Sequence, residues 1–163
     1  MSDLLKPAEI IDFAITIEEM GYRFYVESLK NVKHPDIISF FQVMADEEFQ
    51  HKNTFQRIKE DIGDYRPAES FPGEYRQYMT DFLQAHSLAN RARLEEKIQA
   101  VKEPLDAIRT ALDFERDSIV FFAQLKRMVK DHHRDLIEEI IQEEVTHIFK
   151  INRIAKNLNL SLS

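Results

Sequence analysis

The most constraining feature of this 163-residue chain is a pair of polar residues, Glu48 and His51, in the middle of an apolar helical stripe. Across residues 37–62 every third or fourth position is otherwise apolar, which predicts a helix with one buried face. The stripe comprises Ile37, Phe41, Met44, Glu48, His51, Phe55, Ile58 and Ile62. Positions i and i+3 of a helix project from one face, so the carboxylate and the imidazole can bind one metal ion together.

The same pattern recurs near the end of the chain. There the stripe reads Ile137, Ile140, Glu144, His147, Ile151, Ile154 and Leu158. Two further carboxylates, Glu18 and Glu115, lie alone on other apolar stripes, and they precede Glu48 and Glu144 by 30 and 29 residues. This internal duplication of an αα-hairpin predicts a bundle with a pseudo-two-fold axis through the polar residues.

The composition favours long helices. Only 3 Gly and 5 Pro interrupt a chain that is 44% hydrophobic and 31% charged, which predicts an all-α fold in one domain, 1–163. We expect four long helices at 7–31, 35–61, 104–130 and 134–157. The crossover between the second and third, 62–103, holds a short helix that begins at Glu74. It is long enough to return the chain to its starting end, so the second and third long helices can run parallel.

The four carboxylates fall near the middle of their predicted helices, so they share one level of the bundle. Without compensation in an apolar core they would destabilise the fold or stay protonated, with raised pKa values. Two metal ions remove this penalty, and the mixed oxygen and nitrogen donors suit iron, manganese or zinc better than magnesium or calcium. The alternative is a metal-free bundle in which these groups pair internally. The predicted ligands are Glu18, Glu48, His51, Glu115, Glu144 and His147.

Charge and cysteine content narrow the classes of partner. The formal net charge is −7 and the sequence has no basic patch, which argues against nucleic acid and anionic membranes as partners. The chain has no Cys, and hence neither disulfides nor thiolate metal sites. No apolar run is long enough for a membrane span or a signal core. We therefore expect a cytoplasmic protein.

The ligand pattern resembles the ferritin-like superfamily of di-iron carboxylate proteins, which place a Glu on each of two helices and Glu-x-x-His on each of the other two. The run Ala-x-x-x-Glu-x-x-Gly-x-x-Phe-Tyr from Ala14 to Tyr25 is most similar to the rubrerythrin branch. The resemblance covers the four predicted long helices. It implies a ferritin-like four-helix bundle holding two iron ions, with manganese or zinc as the alternatives.

Two departures limit what this resemblance implies. Rubrerythrins commonly carry a further ligand Glu three residues after the third-helix Glu, where this chain has Ser118. Many also carry a Cys-rich rubredoxin module, and this chain has no Cys. The resemblance thus implies a di-iron oxidoreductase that reacts with peroxide or dioxygen and takes electrons from a separate donor protein. The alternatives are a ferroxidase or iron-storage protein and, from another class, a structural or regulatory bundle that uses metal only for folding.

Three further features complete the predictions. Tyr25, seven residues after Glu18, is a candidate neighbour of the metals, with plain core packing as the alternative. His132 and His133 fall in a predicted turn, where we expect a solvated corner and where a surface metal site is the alternative. The crossover also holds aromatic residues that we expect to be exposed. Together with the family resemblance, they predict a homodimer or a larger homo-oligomer. They are Phe71, Tyr75, Tyr78 and Phe82.

Overall fold

The computed structural model describes residues 6–86 and 90–162, which form six α-helices. In chain order these are α1 (Pro7–Ser28), α2 (Pro35–Ile62), α3 (Glu74–Ala85), α4 (Arg91–Ala100), α5 (Pro104–Leu125) and α6 (Asp131–Asn157), with a short 3-10 turn, Lys126–Met128, between the last two. The predicted all-α fold is confirmed. Within the described residues, no helix combines the length and apolarity that a membrane span needs.

Local sequence accounts for the ends of the long helices. Pro35 and Pro104 occupy the first positions of α2 and α5, where a missing N–H costs nothing. The His34 imidazole accepts a hydrogen bond from the N–H of Asp36, which satisfies one free donor at the start of α2. Gly63 ends α2 with φ at 57°, a conformation that glycine adopts without strain.

Two antiparallel hairpins, α1 with α2 and α5 with α6, build the bundle. Helices within a hairpin pack mainly against each other, and contacts of α1 with α5 and of α2 with α6 join the halves. Aromatic layers lie on both sides of the bundle's middle: Phe41 packs against Tyr25 on one side, and Phe55 against Phe122 on the other, with ring centroids 5.0 Å apart in each pair. These layers leave the four central glutamates between two apolar walls.

The crossover contains two short helices, α3 and α4, where one was predicted. The second forms because the Asn90 side chain accepts a hydrogen bond from the N–H of Arg93, and because Leu94 is fully buried against the bundle. The aromatic residues of α3 also cover the bundle. Phe82 packs on Phe121 of α5, with 4.8 Å between ring centroids.

The junction between α5 and α6 differs from the prediction as well. The third long helix ends at Leu125 and the fourth begins at Asp131, so its start lies three residues earlier than expected. His132 and His133 therefore belong to the first turn of α6. The expectation of a solvated corner was wrong for His133, which is 4% exposed, and right for His132, which faces solvent.

Candidate di-metal centre

The structure brings all six predicted ligand residues together in the middle of the bundle. α1 and α5 each contribute one of them, and α2 and α6 each contribute a Glu-x-x-His pair. The four carboxylates are fully buried and the two imidazoles almost fully so. They are Glu18, Glu48, His51, Glu115, Glu144 and His147.

The six residues form two overlapping groups. In one, ligand atoms of Glu18, Glu48, His51 and Glu144 lie within 4.8 Å of one another; in the other, those of Glu48, Glu115, Glu144 and His147 do so. Glu48 and Glu144 belong to both groups. Two adjacent sites that share two carboxylates are the geometry of a bridged metal pair, and the sequence alone left the identity of the bridging residues open.

Glu144 lies between the two imidazoles. Its Oε1 is 2.9 Å from Nδ1 of His51, and its Oε2 is 2.9 Å from Nδ1 of His147. The two imidazole rings are nearly parallel, at an interplanar angle of 21°, with centroids 6.1 Å apart. Both histidines therefore direct Nδ1 to the centre, and the two halves of the bundle contribute equivalent donor sets.

The opposite edge of each imidazole meets a second carboxylate from the other half of the molecule. Nε2 of His51 is 2.6 Å from Oε2 of Glu143, and Nε2 of His147 is 2.8 Å from Oε2 of Glu47. Lys150 in turn donates to both carboxylate oxygens of Glu47, at 3.2 and 3.3 Å. A carboxylate on the far nitrogen of a metal-binding imidazole holds the ring in one tautomer and one orientation.

Sequence reasoning assigned no role to Glu47 and Glu143. The signal was present in the repeat, because each half reads Glu-Glu-x-x-His. Each outer carboxylate, however, contacts the histidine of the other half, and only the antiparallel register of α2 and α6 brings these pairs together.

The donor set fits two metal ions. Both carboxylate oxygens of Glu18 and of Glu48 are buried and have no hydrogen-bond partner among the described residues. Buried polar atoms in this condition are strongly destabilising unless another partner is supplied. Divalent ions that accept both carboxylate oxygen and imidazole nitrogen would supply it.

The charges of the carboxylates depend on one another when no metal is bound. Burial, followed by repulsion from neighbouring carboxylates, raises the pKa values of Glu48 and Glu115 well above their usual range. Burial also acts to raise the pKa of Glu144, but its hydrogen bonds with Glu115, His147 and His51 outweigh burial and lower it. The expectation of raised pKa values throughout was wrong for Glu144, because an imidazole lies at each of its oxygens.

The same contacts favour protonated histidines when no metal is bound. Burial would lower the pKa of His51, but Glu18 and Glu144 raise it to about 12. Burial likewise opposes the shift at His147, whose pKa the neighbouring carboxylates raise to about 11. Since only a neutral imidazole binds a metal ion, metal binding must displace a proton from each ring.

Two residues next to the ligands complete the centre. Tyr25 is fully buried, and its hydroxyl donates a hydrogen bond to Oε1 of Glu115. Burial, followed by the charge of Glu115, raises the pKa of Tyr25, so its proton stays on the hydroxyl. Ser118 is buried one turn after Glu115, and its Oγ has no hydrogen-bond partner among the described residues.

Comparison with known proteins agrees with this geometry. The family model described as rubrerythrin matches residues 9–155. The crystal structure of a Thermotoga maritima protein described as ferritin-like and diiron-carboxylate superposes with a TM-score of 0.66 at 23% sequence identity, covering 94% of this chain and 96% of that one. This structural similarity confirms the ferritin-like fold. No curated protein matches the chain significantly in sequence.

Proposed function

The chain belongs to the rubrerythrin family of ferritin-like di-iron proteins, and from this premise we propose that it is a non-haem di-iron oxidoreductase that reacts with peroxide or dioxygen. The observation that carries the proposal is the pair of overlapping ligand groups in the bundle core. Glu18 and His51 would hold one ion, Glu115 and His147 the other. Glu48 and Glu144 would contact both. When bound, the iron pair supplies the one-electron redox changes that reduction of peroxide or dioxygen requires.

The outer carboxylates hold the histidines ready for metal. Because the Nε2 proton is directed at Glu143 or Glu47, the proton that a metal ion displaces from His51 or His147 is the one on Nδ1, which leaves the Nδ1 lone pair for the ion. The orientation of the two histidine ligands is thus fixed by contacts between two helices, α2 and α6, rather than by loops. The central ligand residues therefore need to move little when metal and substrate bind.

Tyr25 orients one ligand and keeps a proton next to the centre. Its hydroxyl donates to Oε1 of Glu115, which fixes that carboxylate from the side of α1. Phe41 and Phe114 pack edge-on against the Tyr25 ring, with centroids 5.0 and 6.3 Å away. This aromatic wall excludes water from the α1 side of the site.

A surface depression of about 410 Å³ gives access from the opposite side. Its lining includes His147 together with Glu47, Glu143 and Lys150. Because Glu47 and Glu143 contact the outer edges of the two imidazoles, a small molecule that enters here approaches the centre between these two carboxylates. This access suits peroxide or dioxygen better than a bulky organic substrate.

The electrons for repeated turnover would come from a separate protein. The chain has no Cys, so it cannot bind a thiolate-ligated iron of its own as an internal donor. Peroxide reduction would then depend on docking of a reduced donor protein.

The decisive experiment starts from the metal-free chain loaded anaerobically with ferrous iron. We expect two iron ions per chain and rapid oxidation, followed by stopped-flow absorbance, on mixing with hydrogen peroxide or dioxygen. Glu18→Gln should lose metal and reactivity. Glu19→Gln, which changes the adjacent half-exposed residue that pairs with Lys52, should retain both. A wild-type protein that holds no iron, or holds two ferrous ions inert to both oxidants, would rule out the proposal.

A ferroxidase or iron-handling role is the second candidate, because acidic side chains line the access depression. In this role the negative charges of Glu47 and Glu143 would attract ferrous ions to the depression, in addition to orienting the histidines. Repeated additions of ferrous iron with dioxygen separate the two roles. Accumulation of ferric iron well beyond two ions per chain favours iron handling, whereas a constant two ions that turn over with an added electron donor favour the oxidoreductase.

A further inference from the structure

A second cluster of metal-ligand residues lies at one end of the bundle, away from the central site. Asp61 is in the last turn of α2, and His132 and His133 are the second and third residues of α6. The antiparallel register that pairs α2 with α6 at the centre also brings these three residues together. Asp61 and His132 face solvent, and His133 is buried behind them.

The three side chains converge on one point. Nε2 of His132 is 2.8 Å from Oδ2 of Asp61, and Nε2 of His133 is 2.9 Å from the same oxygen. All three ligand atoms lie within 4.8 Å of one another. Two donor atoms that are each about 2.1 Å from one ion are roughly 3.0–3.4 Å apart, so the two distances between Asp61 and the histidines suit an ion after shifts of a few tenths of an ångström.

The contacts within the cluster are compatible with a bound ion. Two imidazole N–H groups converge on a single carboxylate oxygen, whereas a cation would accept a lone pair from each ring. The buried Nδ1 of His133 has no hydrogen-bond partner among the described residues. Direct hydrogen bonding of Asp61 to both histidines is the alternative arrangement, and the experiment below distinguishes the two.

The surroundings leave room to complete a coordination shell. A surface depression of about 300 Å³ adjoins the cluster and is also lined by Thr54, Arg57, Ile58 and Leu136. Lys130 Nζ is 3.4 Å from the backbone oxygen of Asp61. Because the positive charge of Lys130 repels a cation, we expect moderate rather than tight binding.

We propose that Asp61, His132 and His133 form a third metal site that binds one divalent transition-metal ion of the zinc class. Two imidazoles and one carboxylate, with an open position for water, are a ligand set that zinc and its neighbours in the first transition series prefer. The ion would tie the end of α2 to the start of α6. The site is independent of the central one, because Asp61 follows His51 by ten residues, about 15 Å of helix, with Phe55 and Ile58 buried between.

Zinc stoichiometry tests the proposal on the full chain. Metal-free protein is dialysed to equilibrium against zinc, and bound metal is counted by elemental analysis alongside titration calorimetry. We expect three zinc ions per chain for wild type, and two for Asp61→Asn and for His132→Asn at the same free zinc. The affinity of the weakest class of site should fall at least roughly tenfold, the lower end of the loss seen even for outer ligand partners.

His34→Asn is the matched control, because His34 lies at the other end of α2 and Asn also serves as an N-cap; it should keep three ions. Asp61 and His132 are exposed, so metal-free variants should melt like wild type. A wild-type count of two, or a third ion retained in both variants, would overturn the proposal. If the central site instead failed to bind, wild type would hold one ion and Asp61→Asn none, which separates the two failures.

Discussion

At the scale of single residues, two carboxylates outside the apolar stripes contact the histidines of the central site. Glu47 and Glu143 do not face the candidate metal positions, yet each holds the histidine of the other half at its Nε2 atom. Their charge also favours the positively polarised imidazole that forms when a metal binds at Nδ1. The pairs link the two halves of the bundle directly at the level of the site.

Replacing Glu143 tests this role. Glu143→Gln removes the charge and keeps the size of the side chain, so the His51 ring loses the carboxylate at its Nε2 atom. We expect the affinity for the metal ion at His51 to fall roughly 10–100-fold, measured by competition with a chelator. Glu139→Gln, an exposed change one turn earlier on α6, is the control and should bind as wild type does. Equal affinities of the two variants would show that Glu143 does not position His51.

The residues that could be predicted from the sequence are those whose position depends on one helix alone. Helical periodicity placed Glu48 and His51 on one buried face, and the duplication did the same for the second half; the structure brings these positions together, and their binding of metal stays a prediction. Contacts between helices were beyond such reasoning. Glu143 and Asp61 acquire partners only through the register of α2 against α6, which periodicity does not determine.

At the scale of helices, Gly21 sets how closely α1 approaches the centre. A Cβ atom at this position would lie 2.5 Å from Cε1 of Phe114 and 2.9 Å from Oε2 of Glu48. Both distances are too short for real contacts. The glycine is therefore required by the packing of α1 against α5 and α2, despite its poor helix propensity.

Gly21→Ala measures the value of this close approach. The substitution gains about 1 kcal/mol of helix propensity, but overpacking a core typically costs about 1–3 kcal/mol. The Phe114 ring cannot easily retreat, because Tyr25 and His86 pack against it. We expect the cost of overpacking to exceed the gain in helix propensity. The variant should then have a lower free energy of unfolding, and it should bind metal more weakly because Glu48 is displaced.

Denaturant unfolding of the metal-free protein measures the free energy of unfolding, and competition with a chelator measures the affinity for metal. Ser39→Ala, an exposed change on α2, controls for the helix-propensity effect and should alter stability by no more than about 0.5 kcal/mol. A Gly21→Ala protein more stable than wild type would show that α1 moves away from the centre at little cost.

Helix boundaries could be predicted where local signals are strong. Pro35 and Pro104 mark the starts of α2 and α5 as the sequence indicated. Helix α4 was not predicted, because its sequence is polar and its helicity depends on burying Leu94 and Ile98 against the rest of the fold. The early start of α6 has a similar cause, since His133 is buried where the sequence suggested a turn.

At the scale of the whole molecule, the oligomeric state stays a prediction. The crossover aromatics that motivated it are partly used within the chain, since Tyr75, Tyr78 and Phe82 pack against the core. Phe71 and Phe149 remain exposed, at 52% and 69%, and exposed aromatic side chains favour association. We expect a homodimer or larger assembly, measured as mass by light scattering at micromolar concentration. The mass of a single chain under these conditions would contradict it.

Metal removal couples the central site to the stability of the entire bundle. In the metal-free fold the pKa values of Glu48, Glu115, His51 and His147 are all raised. The native state therefore holds more protons than the unfolded chain from about pH 5 upward. Stability falls with rising pH wherever that is so, by about 1.4 kcal/mol per pH unit for each excess proton. The lowered pKa of Glu144 acts in the opposite direction, but only below its unfolded value near 4.5.

Metal reverses this dependence, because it binds the deprotonated native site far better than the unfolded chain. Metal-free protein should melt several degrees below the loaded protein at pH 7–8, and the gap should narrow toward pH 5; calorimetric scans across this range measure both. Glu115→Gln resembles the protonated carboxyl, so it should raise the metal-free melting temperature at neutral pH, flatten its pH dependence and weaken metal binding. If this variant instead melts lower without metal and binds metal as tightly as wild type, Glu115 takes no part in the charge balance of the centre.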